Sequence, residues 1–175
     1  MLTAVLDDSY EKALALCQTD RADAYELRLD RLGEYNEKKV RAIRDTTRAP
    51  LIFTVGERLD LIEGALRLQP DYIDVRWDVS LPHNLGETRR IASFHDYTGM
   101  PSDPAALLAK MRQRPAAIYK IAALGGGLFD ALTMAALSYT SDVSCVAIAM
   151  GEASQLSRLL LPAVSAPLWY VATSH

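Results

Sequence analysis

Seven ionisable side chains lie within stretches that otherwise read as buried strands, and they are residue types that carbonyl and acid–base chemistry requires. In AYELRLD, strand alternation puts Tyr25, Leu27 and Leu29 on one face and Glu26, Arg28 and Asp30 on the other. In YIDVRW, Asp74 and Arg76 share a face opposite Ile73, Val75 and Trp77, and in ASFHD the partner of Ser93 is His95. AIYKIA sets Lys120 on the face of Ile118 and Ala122. A lysine flanked by Ala117, Ile118, Tyr119, Ile121 and Ala122 is not a solvated surface residue. Burial lowers a lysine pKa, and a neutral amine is what attack on a carbonyl needs. Plainer readings stand beside these: Glu26 and Arg28 as a structural ion pair, and His95 next to Asp96 as a structural histidine.

These groups need elements that bring them together. Short β-branched or aromatic runs recur at 2–6, 24–29, 51–55, 72–77, 91–94, 117–122, 144–149 and 168–172, which makes eight candidate strands. Helical periodicity fills 9–17, 36–45, 59–68, 103–111, 129–138 and 153–161. Strict alternation of strand and helix argues for an all-parallel α/β architecture, and eight units suit a (β/α)8 TIM-type barrel. Charged groups inside a core cost several kcal/mol unless paired, and the barrel mouth gives them a reason. Arg28, Arg76, His95 and Lys120 are therefore expected at the C-terminal ends of strands.

At 175 residues the barrel is shortened, because such folds typically take ~250. The link 78–90 has room for a reduced helix 4, and helix 8 is expected to be missing. A doubly wound open sheet is the competing architecture. The run 125–127, three glycines, lacks dinucleotide or P-loop spacing and reads as a flexible loop after the sixth strand.

Half the residues are apolar and the net charge is −3, with signs interspersed, so one domain over 1–175 is expected and nucleic acid is not a partner. Cys17 and Cys145 have no CxxC or His-rich spacing and read as small buried hydrophobes in a reducing compartment. The N-terminus lacks a signal-peptide pattern and no apolar run is long enough to span a membrane, so a cytoplasmic protein is expected.

Seven segments in order, ADAYELRLDRL (22–32), PLIFTV (50–55), DYIDV (71–75), SFHDYTGMP (93–101), IYKIAAL (118–124), AMGEASQLSRLL (149–160) and APLWYVAT (166–173), together resemble the type I 3-dehydroquinate dehydratases. The ExRxD and KIA pieces are weak alone, whereas the ordered set is strong. The resemblance implies a hydro-lyase of the shikimate pathway that converts 3-dehydroquinate to 3-dehydroshikimate with no metal or organic cofactor. It assigns the imine to Lys120 and proton transfer to His95. Glu26 and Arg28 would bind ring hydroxyls, Arg158 the substrate carboxylate, and Met150 and Tyr170 would line the pocket. One imidazole working near its pKa can serve every proton step. A homodimer and a fusion to, or partnership with, shikimate dehydrogenase are both compatible with this reading.

The sequence also departs from the family pattern. An arginine that normally follows PLIFTV is replaced by Gly56, and the Glu-Gly-Gly loop after it is absent. Asp-Val-Glu in the fourth strand is Asp74-Val75-Arg76, which makes Arg76, ahead of Arg58, the candidate replacement for the lost arginine. A family lid and final helix are missing after Thr173, from which a weakly active, marginally stable chain is expected. Two other readings compete: another Schiff-base lyase or aldolase on the same barrel, and a catalytically impaired ligand-binding relative.

Overall fold

A computed structural model describes residues 1–19 and 21–173. The elements run β1 (Leu2–Leu6), α1 (Tyr10–Gln18), β2 (Ala24–Arg28), α2 (Glu37–Thr46), β3 (Leu51–Gly56), α3 (Ile62–Arg67), β4 (Tyr72–Arg76), β5 (Arg89–Asp96), α4 (Pro104–Met111), β6 (Ile118–Leu124), α5 (Leu128–Thr140), β7 (Cys145–Met150), α6 (Leu156–Leu160) and β8 (Trp169–Ala172). Between β4 and β5 the chain forms turns and, among the described residues, no helix; Pro82 and Gly86 both fall there. Gly86 adopts a left-handed φ of +62°, and an added Cβ would lie 2.4 Å from the Gln69 side chain.

Local sequence explains where the helices start. Ser9 accepts a hydrogen bond from the Lys12 N–H, Asn36 from that of Lys39, and Asp103 from that of Ala106, with Pro104 in the first turn of α4. Each such cap contributes about 1 kcal/mol. Helical spacing then sets the buried faces: Tyr10, Ala13 and Cys17 of α1, and Val40 and Ile43 of α2.

The chain divides into two compact units. One comprises Met1–Val75, Ser80–Arg90 and the segment from Tyr170. Its strands are hydrogen bonded in the order β4-β3-β2-β1-β8, and β1 to β4 pair in parallel. The Thr173 hydroxyl donates to the Val5 carbonyl at 2.5 Å, tying the end of β8 to β1. Neighbours in sequence are neighbours in space, without the reversal of order that a doubly wound sheet requires. β3 is buried along Leu51–Val55, as expected of a parallel strand covered on both faces.

The other unit comprises Arg76–Val79 and Ile91–Trp169. Its order is β7-β6-β5, again parallel and sequential. Ala92, Tyr119, Ile121, Ala123, Cys145, Ala147 and Ala149 form one apolar cluster with Leu108 and Met111 of α4 and Met134 of α5. One parity of the three strands therefore packs on helices. Ser93, His95, Lys120 and Ala122 belong to the other parity and line the opposite face, as the alternation of the sequence requires.

Candidate active site

Lys120 is the group that most needs explaining. It is only 5 % exposed, lies on the face turned away from the helices, and stands in register with Ser93 on β5 and Val146 on β7. Ile118 and Ala122 flank it on its own strand, both buried. The next inward-facing residue along β5 is His95, in register with Ala122. Strands about 4.8 Å apart, rising about 3.3 Å per residue, put the Lys120 and His95 Cα atoms roughly 8 Å apart. Two long side chains can converge on one small molecule over that distance.

One expectation needs correction. Arg28 and Arg76 end their strands and His95 is one residue from the end of β5, but Lys120 is third of the seven residues of β6. The apolar run continues through Leu124 and pairs with β7 as far as Met150, and the Gly125 N–H adds a bond to the Met150 carbonyl at 2.9 Å. Lys120 thus lies about 13 Å of strand below the rim, at about 3.3 Å per residue.

The exposed imidazole of His95 stacks beside Tyr97, with ring centroids 6.2 Å apart and planes 14° apart. The residue after it organises the rim. Asp96 accepts from the Thr98 N–H (2.7 Å), the Thr98 hydroxyl (2.6 Å) and the Gly99 N–H (3.3 Å). These bonds, the Thr98 hydroxyl foremost, hold the Asp96 carboxyl below the usual carboxylate range. Beside this turn a cleft of about 270 Å³ is lined by Met100, Leu124, Gly125 and Asp130 among others. The glycine run at its edge is anchored rather than loose. Gly126 donates to Asp130 at 2.6 Å, and Gly127 donates to the Ser154 hydroxyl at 3.1 Å while accepting from it at 3.0 Å.

In the other unit Glu26 is 2 % exposed and accepts from the Thr54 hydroxyl at 2.8 Å. The Tyr25 hydroxyl donates to the Leu16 carbonyl on α1, so Tyr25 faces the helices and Glu26 faces away from them. Arg28 makes a two-pronged bond to Asp30, Nε to Oδ1 at 2.9 Å and a terminal nitrogen to Oδ2 at 2.6 Å. Position 56 explains itself against that pair. Gly56 has φ +53°, and a Cβ there would lie 2.5 Å from Asp30 Oδ2, so no side chain is accommodated without displacing the Arg28–Asp30 pair.

The two candidate replacements for an arginine at that position use the same local device. Arg58 grips Asp60 through two bonds of 3.0 and 2.8 Å, and Arg76 holds Asp78 through Nε at 2.5 Å. Both arginines are exposed. Their bonds keep the Asp60 and Asp78 carboxyls below the usual range. Arg158 lies on α6, exposed, and makes no side-chain hydrogen bond or ion pair among the described residues. α6 is anchored to its strand by Ser157, whose hydroxyl donates to the Ala149 carbonyl at 2.8 Å. Met150 ends β7 partly buried, and Tyr170 of β8 is buried.

Lys120, His95, Met150, Arg158 and Arg76 belong to one unit, and Glu26, Arg28 and Tyr170 to the other. Thr54 was not singled out from sequence, and Asp30 was placed on the face of Glu26 and Arg28 but given no role. The signal for Thr54 was present, as the one hydroxyl in LIFTV at the parity of a polar face. Among the described residues no group of three or more His, Cys, Asp or Glu is placed to hold a metal ion, and no helix is long and apolar enough to cross a membrane.

A buried lysine on a parallel strand, with a histidine two steps beyond its lateral neighbour, is an arrangement suited to carbonyl chemistry. The type I 3-dehydroquinase model matches residues 2–175, and the chain belongs to that family. A 3-dehydroquinate dehydratase of Dehalococcoides mccartyi is 30% identical over 185 residues, spanning 92% of this chain and 80% of that protein. The bifunctional 3-dehydroquinate dehydratase/shikimate dehydrogenase of Arabidopsis thaliana is 30% identical over 79% of this chain, which corresponds to only 27% of that longer protein. Among solved structures, the 3-dehydroquinate dehydratase of Geobacillus kaustophilus superposes with a TM-score of 0.81 at 16% identity, over 99% of this chain and 82% of that one. The fold is the (β/α)8 class expected from the strand–helix alternation.

Proposed function

We propose that this chain dehydrates 3-dehydroquinate to 3-dehydroshikimate and water through an imine on Lys120. The observation that carries the reading is a lysine buried on the inward face of β6 with His95 on the adjoining strand. The Lys120 amine adds to the substrate ketone, and loss of water leaves an iminium. This draws electrons from the neighbouring carbon, so that a base of ordinary strength can remove its proton. His95 takes that proton, and the resulting enamine expels the β-hydroxyl as His95 returns the proton to it. Water then hydrolyses the conjugated imine, releasing product and the free amine.

The remaining groups serve binding. Glu26 and Arg28, each held by a neighbour, suit hydrogen bonding to ring hydroxyls. Arg158 carries a guanidinium not committed elsewhere among the described residues, and it suits the substrate carboxylate. The family resemblance assigns Met150 and Tyr170 to substrate contact as well. Two free, buried thiols, Cys17 and Cys145, support placing the reaction in the reducing cytoplasm. The name of the Arabidopsis relative supports a shikimate dehydrogenase as the enzyme that takes up the product.

The test is to add 3-dehydroquinate and follow the ultraviolet absorbance of the conjugated enone, with Lys120→Ala alongside. Absorbance should rise with the native chain and not with the variant. Covalent trapping without product would indicate a different Schiff-base lyase, and neither trapping nor product a ligand-binding relative.

A further inference from the structure

We infer that Ser154 is a positioning residue: it locks the loop after β6 to the start of α6 and so fixes Arg158, the carboxylate anchor, relative to Lys120. The inference rests on the dehydration reading above, which gives Arg158 and Lys120 their roles. Ser154 is fully buried, although Glu152, Ala153, Gln155 and Leu156 around it are exposed. A hydroxyl turned inward from an exposed turn needs partners. It finds them in one residue, accepting from the Gly127 N–H at 3.1 Å and donating to the Gly127 carbonyl at 3.0 Å.

The two loops interlock around this contact. A Cβ on Gly125 would lie 2.4 Å from the Ser154 hydroxyl and 2.9 Å from the Ala149 Cβ, so any side chain there would expel Ser154. From the other side, a Cβ on Gly151 would lie 3.0 Å from Leu124 Cδ1. Packing this close leaves neither loop free to shift alone. Arg158 depends on that packing, because α6 has five residues and no side-chain cap at its start. So short a helix does not hold itself in place. Ser157 fastens it to the Ala149 carbonyl on β7, and Ser154, one turn before Arg158, fastens its approach to the end of β6. Lys120 lies on that same β6, in register with Val146 of β7. The ketone and the carboxylate of 3-dehydroquinate belong to one six-membered ring, so the amine and the guanidinium that take them must keep a fixed separation. A shift of about an ångström weakens one contact whenever the other is made.

The test is a cycle of the native chain, Ser154→Ala, Arg158→Ala and the double variant, each with 3-dehydroquinate. Ser154→Ala should raise KM about fivefold, the size of one ordinary hydrogen bond, and leave kcat within about twofold of native. In the presence of Arg158→Ala it should add nothing, because both changes act through one contact. Ser138→Ala is the structural control: this buried hydroxyl on α5 accepts from the Ala147 N–H at 2.9 Å, away from both loops, and its loss should lower stability with KM unchanged. Repeating the cycle as the calorimetric Kd of 3-dehydroquinate in a Lys120→Met background removes the chemistry from the readout. A native chain that binds 3-dehydroquinate without forming product defeats the dehydration reading, and the coupling in Kd then decides this one. Unchanged binding in Ser154→Ala overturns the inference, as does an equal loss with and without Arg158. So does an equal loss from Ser138→Ala, or a chain that does not bind 3-dehydroquinate.

Discussion

Replacing Thr54 by valine removes a hydrogen bond that links β3 to the candidate substrate-binding carboxylate. Thr54 and Glu26 are both buried, and their oxygens are 2.8 Å apart. Valine keeps the shape and removes the donor. A hydrogen bond to an ionised acceptor contributes about 1.5–3 kcal/mol. The added methyl recovers up to about 0.8 kcal/mol of apolar burial. The net loss should then be about 1–2 kcal/mol, and at about 2–4 °C per kcal/mol for a chain of this size the thermal midpoint should fall by roughly 2–8 °C. Denaturant titrations of Thr54→Val, Glu26→Gln and the double variant should show coupling of about 1 kcal/mol, because the second change loses little once the first has broken the bond. If Glu26 is aimed at substrate hydroxyls, Thr54→Val should also raise KM several-fold with a smaller effect on kcat, and Thr54→Ser should retain native values. Additive stabilities, or a Thr54→Val variant as stable as the native chain, would refute the argument that Thr54 positions Glu26.

The other variants address charge and proton transfer. His95→Ala should lower turnover by about two to four orders of magnitude, the range for losing a positioned acid–base group, and near-native turnover would make His95 structural. Arg158→Ala should raise KM for 3-dehydroquinate strongly, and Arg76→Ala should do so by more than Arg58→Ala; negligible effects from both of the latter would mean that neither replaces the arginine absent at Gly56. Burial pushes the thiols of Cys17 and Cys145 from 9.0 up to about 12. Their contribution to stability is therefore complete below pH 9 and is lost as pH rises towards 12, at about 1.4 kcal/mol per pH unit for each thiol. A thiol reagent at pH 8 should label neither cysteine until the chain is unfolded, and rapid labelling of the native protein would contradict their burial.

The parity of the strands was legible because it depends only on alternation. Tyr119, Ile121 and Ala123 pack on helices, and Lys120 lies opposite them, as IYKIAAL implies. Burial of Lys120 was legible for the same reason. Its depth was not, because the end of β6 depends on how far β7 continues to pair with it, and that is a tertiary property. The bonds of Arg28, Arg58 and Arg76 to the aspartate two residues on were visible as repeated Arg-x-Asp spacing, yet their formation depends on the turn each strand end makes. Gly56 could be read only as a missing arginine. Its left-handed backbone and the nearness of Asp30 belong to the folded chain. The glycine run 125–127 looked loose because composition does not reveal Ser154, 27 residues from Gly127, as its anchor.

The central claim is that Lys120 is the covalent catalyst. Incubation with 3-dehydroquinate followed by borohydride reduction, proteolysis and peptide mass mapping tests it most directly. The account predicts a substrate-derived adduct on the peptide containing Lys120 and loss of activity in proportion to labelling. Turnover with no adduct, or an adduct on Lys12, Lys38, Lys39 or Lys110 with Lys120 unmodified, would contradict it.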